Sequence, residues 1–538
     1  MKIPGHFSAE INRNTLQMQR TSASHPLQIA EIRALEGVIG LTFCPGKKGD
    51  SVLGAPWDRD LDTDLQAIKA WGASKVITLM ERHEFDLLSV RGLGEAIQRL
   101  GIDWVHLPIR DVSVPDESFP HIWANLTKDL QRSLARGQRI LLHCRGGLGR
   151  TGLVAALLLM DLGLGSDDAM RRIRSVRPGA IETKEQETHV QRYMPYLCHA
   201  SILAGAIGDS LGADIEFSSL TDIRARFPSG IDRLARTNAF ASGWFTDDTQ
   251  MTLFTAEGLM RAHIRGKLKG ISSVSGVVHH ALIRWYLTQG GTSETPHEET
   301  VGLVLDKRMW HQAAPGMTCM TALRGAKFFG EQARNDSKGC GTIMRVAPVA
   351  FGVERENVRQ VAIETSALTH GHAVGQLAAA AWAEILADVS IGKQPEDAAR
   401  SVAHRYQTEL GQAGEIIASS IYLSLDAPVD GTPETVERLG GGWVAEEALS
   451  IALYAACVGK NFEEGLCIAV THSGDSDSTG AIAGNLLGIL YPDQVFAHRW
   501  KNEVGGADLI LPLALDLPQA RYWEPREASA QFENYPGF

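Results

Sequence analysis

Strand signals stop at about residue 143, and that break limits the folds open to this chain. Before it, short β-branched runs alternate with helical stretches. After about residue 199, long Ala- and Leu-rich segments follow one another, separated by Gly, Pro and polar clusters. Strands alternating with helices fold as a mostly parallel sheet covered by helices, and helices alone must bury their faces on one another. One chain of 538 residues holding both patterns reads as multidomain. We expect an α/β domain over residues 25–198 and an all-α domain over 199–538, after a polar, aperiodic, flexible N-terminal arm over 1–24. Residues 191–205 carry no Pro/Gly/Ser-rich linker, so the two domains are expected to be docked and not tethered.

Within the first domain, Leu65, Ile68 and Ala70-Trp71 suit an amphipathic helix ended by Gly72. Residues 75–80, 104–109 and 139–143 read as strands. The last runs into HCRGGLGRTG, residues 143–152, and then into an apolar helix over 153–162. A Gly-rich turn between strand and helix aims backbone N–H groups at an anion. This turn opens with Cys144 and closes with Arg150. The helix N-terminus and the arginine both favour a thiolate, and the planar guanidinium can hold two phosphate oxygens. Loop residues Arg145, Gly147, Gly149 and Thr151 would line the anion site, with Thr151 able to donate to the sulfur when it leaves. The loop interior has no lysine, which disfavours a phosphoinositide and leaves phosphoprotein, phosphonucleotide and phosphosugar substrates open. Cys44, with no spaced partner, reads as structural.

The HCxxGxxRT signature resembles the cysteine-dependent tyrosine and dual-specificity phosphatases. With GVIGLTFCPGKK (38–48), PIRDVSVPD (108–116) and RPGAIETKEQE (177–187), the stretch looks like their kinase-associated branch. The resemblance implies a metal-free phosphocysteine mechanism. Cys144 would attack phosphorus, Arg150 would hold the oxygens, Asp111 would protonate the leaving oxygen and Gln186 would position the hydrolytic water. Asp116 is a second candidate for the acid; Asp111 fits the PIxD pattern of that branch.

In the helical region, FTDDTQM holds Thr246, Asp247 and Asp248, and HSGDSDSTG holds Asp475, Asp477 and Ser478. Packed carboxylates repel unless a cation or a shared proton relieves them. Oxygen donors without a Cys/His set point to two hard divalent cations, Mg²⁺ or Mn²⁺. Helix N-capping is the ordinary alternative for either cluster alone. GDSLGADIEF (208–217) adds Asp209 and Glu216, and NDSKGCGTIMRVAP (335–348) is a Gly/Ser turn suited to a diphosphate. These motifs, with PGMTCMTAL (315–323), His370 and GGGWVAEEALSIAL (440–453), resemble the ADP-ribosylglycohydrolase family. That implies an all-helical fold, the six residues named above as ligands of a two-metal centre, and cleavage of an ADP-ribosyl group from its acceptor. Glu216 would sit on a flap, Glu216 or Asp248 would act as acid or base, and Ser337, Gly339 and His370 would line the diphosphate pocket.

A net charge of −11 gives no overall bias toward nucleic acid or anionic membrane. Seven dispersed cysteines, a start without an apolar h-region and no long apolar run point to a cytoplasmic protein. The expected partners are an ADP-ribosylated protein or ADP-ribose-containing small molecule, and a phosphorylated protein or metabolite. The two sites could act on different targets or in sequence on one phosphorylated ADP-ribose metabolite, or one domain could be a reader. The tail after Pro518 reads as polar and loosely held.

Overall fold

The computed structural model describes residues 19–51, 54–235, 243–295, 301–524 and 530–537. It divides into two compact units. One comprises Met1–Phe119, Asp129–Ala156 and Met170–Glu187, and the other Pro120–Lys128, Leu157–Ala169 and Thr188–Phe538. Most of the expected N-terminal arm lies outside the described residues, but Arg20 is bridged to Trp57 and its guanidinium lies 4.1 Å from that ring.

In the first unit the strands are β1 (Ala30–Ala34), β2 (Gly37–Phe43), β3 (Lys48–Gly49), β4 (Trp57–Asp58), β5 (Ala73–Thr78), β6 (Asp103–His106) and β7 (Arg139–Cys144). Five of them form a sheet ordered β1-β2-β7-β5-β6, parallel except for the β1–β2 hairpin, and β3 pairs with β4 separately. The β7 sequence RILLHC is buried at every position after Arg139, as a central strand covered on both faces must be. Its C-terminal end, where Cys144 pairs with Phe43, lies at the carboxyl edge of the parallel strands, where loops build sites. The helix Leu61–Trp71 stops at Gly72, whose φ of 87° suits a residue without a side chain. It packs Leu65 and Ile68 into a core with Val76, Met80, Val90, Leu93, Ile97 and Leu141.

The second unit is helical, and its one strand-like feature among the described residues is the isolated bridge Gly339–Val444. Its Ala- and Leu-rich stretches include the helices Asp247–Lys269, Val358–Ser366, Ala373–Ser390 and Ala445–Val458. Its organising contact is an antiparallel glycine seam between helices Met194–Gly212 and Ser476–Leu490. A Cβ built on Gly208 would stand 2.1 Å from the Gly480 carbonyl oxygen, and one on Gly212 would stand 2.2 Å from that of Ser476. Cβ atoms on Gly484 and Gly488 would stand 2.3 Å from the carbonyl oxygens of Ala204 and Ala200. The backbones touch because no side chain separates them. The C-terminal end of one helix is thereby held against the acidic N-terminus of the other.

The tail departs from its polar reading. Leu517–Tyr522 is a 3₁₀ helix, and Trp523 and Tyr535 are buried and stacked with ring centroids 5.8 Å apart. Two aromatic side chains outweigh a polar composition, because each buries far more apolar area than its polar neighbours expose.

Candidate active sites

The first site grows from the turn between β7 and the helix Gly149–Met160. Gly147 adopts a φ of 70°, and a Cβ there would meet the Thr42 carbonyl oxygen at 2.4 Å, so the tight loop requires glycine. The curl aims the Gly147 amide at the Cys144 sulfur, 3.2 Å away, and Cys144 is 3% exposed. The expected sulfur donor Thr151 lies a turn into the helix, its hydroxyl buried without a hydrogen-bond partner among the described residues. In the structure, the donor to the sulfur is the Gly147 amide.

Arg150 is buried, and its two terminal nitrogens are held by protein acceptors. It forks onto Glu84 at 2.6 and 2.9 Å, donates to the Ile109 carbonyl at 3.0 Å and pairs with Asp111 at 2.7 Å. Burial opposes ionisation of Glu84, but the two Arg150 hydrogen bonds outweigh it and hold the carboxyl below the usual range. Asp111, near the front of this fork, is partly exposed. Asp116 instead accepts from the Ser118 hydroxyl and amide, which lowers its pKa and ties it into a turn. Gln186 is fully buried, accepting from the Glu182 amide and donating to the Ser113 carbonyl, both at 3.0 Å. Its amide lies 3.0 Å from where a Gly149 Cβ would stand, at the mouth of the loop. Cys44 is buried, its thiol on the Pro45 carbonyl.

Local pattern does not reveal Glu84, which comes from a different helix, or Glu182, whose carboxylate accepts from the Gly149 amide at 2.7 Å. Lys47 and Arg177 are likewise missed; they donate to the carbonyls of Arg145, and of Gly147 and Gly146.

In the second unit both acidic clusters do cap helices. The Thr246 hydroxyl accepts from the Asp248 amide, and the Asp475 carboxylate from the Ser478 amide. Capping and convergence coexist, because a helix N-terminus favours negative charge wherever its carboxylates point. Carboxylate oxygens of Glu216, Asp475 and Asp477 lie within 4.8 Å of one another, the spacing of ligands around one cation. Asp247 accepts from the Gly316 amide at 3.0 Å, and the Oδ1 of Asp248 is buried without a hydrogen-bond partner among the described residues.

Burial and then the neighbouring aspartates push Asp248 well above the carboxylate range. Asp247 is raised in the same sense, by burial first. Glu216 is pushed up to about 8, by burial and then by Asp477, Asp247 and Asp209. Among the described residues, no lysine or arginine is a leading influence on Asp209, Glu216, Asp247, Asp248, Asp475 or Asp477. An all-oxygen donor set, buried, mutually repelling and with one orphaned carboxylate oxygen, fits hard divalent cations.

Asp209, quoted in its motif but given no role by sequence, joins the two helices. It accepts from the Thr246 amide at 2.9 and 3.1 Å and from the Thr249 amide and hydroxyl at 3.1 and 2.6 Å. Cys340 is a second unanticipated member, its thiol donating to Asp475 at 2.9 Å. The turn carrying it brings Ser337, Gly339 and His370 together. The Gly339 amide donates to the Ser337 hydroxyl at 3.3 Å, and a Gly339 Cβ would stand 3.4 Å from the His370 ring. His370 is 1% exposed, and burial, then Arg345, pushes its pKa down to about 3. Glu216 lies on a turn whose next residue, Phe217, has a φ of 63° and stacks on Trp443 at 5.1 Å.

Both units match hydrolase families. A family model described as ADP-ribosylglycohydrolase matches residues 197–526, more than half of the chain, and the chain belongs to that family. A model described as Swiss Army Knife protein, DSP-PTPase phosphatase domain, matches residues 57–190, so the chain also carries a dual-specificity phosphatase domain. Cyclin-dependent kinase inhibitor 3 of Rattus norvegicus is 32% identical over 158 residues, 29% of this chain and 71% of that protein. An uncharacterized protein of Archaeoglobus fulgidus is 24% identical over 319 residues, 59% of this chain and 94% of its own. Among solved structures, an ADP-ribosylglycohydrolase-related protein complex is 22% identical, covers 61% of this chain and 99% of its own, and has a TM-score of 0.43. No helix among the described residues is long and apolar enough to cross a membrane.

Proposed function

We propose that the helical unit hydrolyses the bond between an ADP-ribosyl group and its acceptor with the help of two divalent cations, Mg²⁺ or Mn²⁺. The α/β unit, on this reading, hydrolyses a phosphomonoester through a phosphocysteine. The observation that carries the first half is the set of buried carboxylates that face one another with no ion pair to a lysine or arginine among the described residues. Thr246, Asp247, Asp248, Asp475, Asp477 and Ser478 would hold the cations. Bound there, the cations would supply the positive charge that grips ribose hydroxyls and offsets oxocarbenium-like charge at the anomeric carbon. Glu216 or Asp248 would take the proton of the attacking water. Glu216 has the better access, being half-buried where Asp248 is 3% exposed. Ser337 and Gly339 would contact the diphosphate, with His370 behind them.

In the phosphatase half, Cys144 would attack phosphorus while Asp111 gives its proton to the leaving oxygen. Water held by Gln186 would then cleave the phosphocysteine, with Asp111 taking that proton back. Arg145, Gly147, Gly149 and Thr151 would surround the bound phosphate. The substrates on this reading are ADP-ribosylated proteins or ADP-ribose derivatives, and phosphorylated proteins or metabolites. A reducing, cytoplasmic setting is supported by seven cysteines that are all free.

The test is release of free ADP-ribose from arginine- and serine-modified proteins, with Mg²⁺ or Mn²⁺ and with chelator. Metal-dependent release that Asp247→Ala/Asp248→Ala removes is the expected result, and release unaffected by chelator would overturn it. Hydrolysis of para-nitrophenyl phosphate should vanish in Cys144→Ser; turnover that survives would rule out the phosphocysteine.

A further inference from the structure

The first unit holds a buried cation that pairs with no carboxylate among the described residues. Lys47, on the turn between β2 and β3, is 8% exposed. Its ammonium donates to the carbonyl of Arg145, the residue that follows Cys144, at 3.2 Å. It also lies 4.5 Å from the Phe43 ring centroid and 4.7 Å from that of Trp57. Its neighbour Lys48 is matched by Asp58 at 2.7 Å; Lys47 pairs with no carboxylate among the described residues. The charged and titratable groups that reach it are Cys44, Cys144, Arg59 and Arg145, and burial lowers its pKa to about 8. Arg59 is itself matched by Asp64 at 2.7 Å.

On another side of the loop, Arg177 is half-buried and spends its donors on the carbonyls of Gly147 and Gly146, at 3.0 and 3.2 Å. The acidic groups at the loop are committed elsewhere: Glu84 and Asp111 to Arg150, and Glu182 to the Gly149 amide. Folding brings like charges together and removes one of them from water, an unfavourable arrangement that an arriving anion relieves. A single phosphate in the loop would be met by Arg150 and the loop amides, leaving Lys47 unmatched.

We propose that Lys47, with Arg145 and Arg177, forms a subsite for a second anionic group, so that the substrate is a phosphomonoester carrying a further phosphate or a diphosphate near the scissile one. This rests on the phosphatase reading of Cys144. On this reading the lysine that serves the loop comes from the β2–β3 turn, far upstream in sequence.

The test is calorimetry on the full chain carrying Cys144→Ser, in chelator, with orthophosphate and pyrophosphate as probes. Pyrophosphate should bind at least about ten-fold more tightly, as one added charge-assisted contact implies. Adding Lys47→Met should bring the two probes within about three-fold of each other. Equal binding with Lys47 present, or a preference that survives Lys47→Met, would overturn the subsite. Should Lys47→Met fail to fold, the half-buried Arg177→Met is expected to cut the preference several-fold, and an unchanged preference overturns the proposal equally. Failure of orthophosphate itself to bind would count against the phosphatase reading instead. Phosphate release from adenosine 3′,5′-bisphosphate and from vesicles of phosphatidylinositol bisphosphate then distinguishes a soluble source from a lipid one. Turnover of a singly phosphorylated peptide alone, with neither bisphosphate cleaved, would overturn the substrate class.

Discussion

Replacing Gly480 by alanine tests whether the glycine seam builds the acidic site. A Cβ at Gly480 would stand 2.4 Å from the Gly208 carbonyl oxygen and 2.7 Å from Val470 Cγ1. Ordinary contact begins near 3.4 Å, so the two helices must separate by about 1 Å. Backbone opposes backbone here, so no rotamer change can relieve the clash. Alanine gains up to about 1 kcal/mol in helix propensity, and overpacking of this kind costs roughly 1–3 kcal/mol or more. The expected net loss is roughly 1–2 kcal/mol in denaturant midpoint experiments. The same displacement moves Asp475 and Asp477 relative to Glu216, so Mn²⁺ affinity by calorimetry should fall about ten-fold or more. Gly325→Ala is the matched control, since a Cβ there meets nothing within 4 Å. A Gly480→Ala protein as stable and as metal-avid as the control would refute the seam as the assembling contact.

Asp209→Ala should cost roughly 2–4 kcal/mol, because it strips the acceptor from two buried amides and a hydroxyl at the head of the helix Asp247–Lys269. Asp209→Asn should recover part of that loss in thermal melts. Glu84→Ala leaves the buried Arg150 fork half-open, and should cost roughly 3–5 kcal/mol and lower para-nitrophenyl phosphate turnover more than ten-fold; full activity would exclude Glu84 as the group that sets Arg150. Without metal, stability should depend on pH. Burial, then Asp477, pushes Asp209 up to about 7, and burial, then Asp477, pushes Glu216 up to about 8. Folded values above the unfolded ones mean a contribution that is complete at about pH 4 and lost as pH rises through 7 to 8. Melting temperature in chelator should therefore fall from pH 6 to 9, and saturating Mn²⁺ should flatten the curve; a flat curve in chelator would contradict this.

The strand–loop–helix around Cys144 was legible because its information is local: an apolar run, glycines at a turn and an arginine at fixed spacing. The acidic clusters were legible because paired aspartates are rare in apolar helical sequence. Glu84, Asp209 and Lys47 were not, since each takes its role from a partner tens of residues away and its own neighbourhood is ordinary. The glycines at 480, 484 and 488 are visible at helical spacing, yet glycine reads first as punctuation, and only the facing carbonyls show that it is the packing surface. The tail misled by composition, because two aromatics decide its burial.

The acidic site also has a place in time. Its first cluster ends at residue 248 and its second begins at 475, with the glycine seam joining the start of the helical unit to that second cluster. A ribosome must release more than two hundred residues after the first cluster before both halves exist, while chains fold as they emerge. A cation bound by both clusters would therefore be taken up only after residue 478 has emerged. Its identity would then follow the free ions present at that moment, and a change in ion pools would alter newly made molecules first.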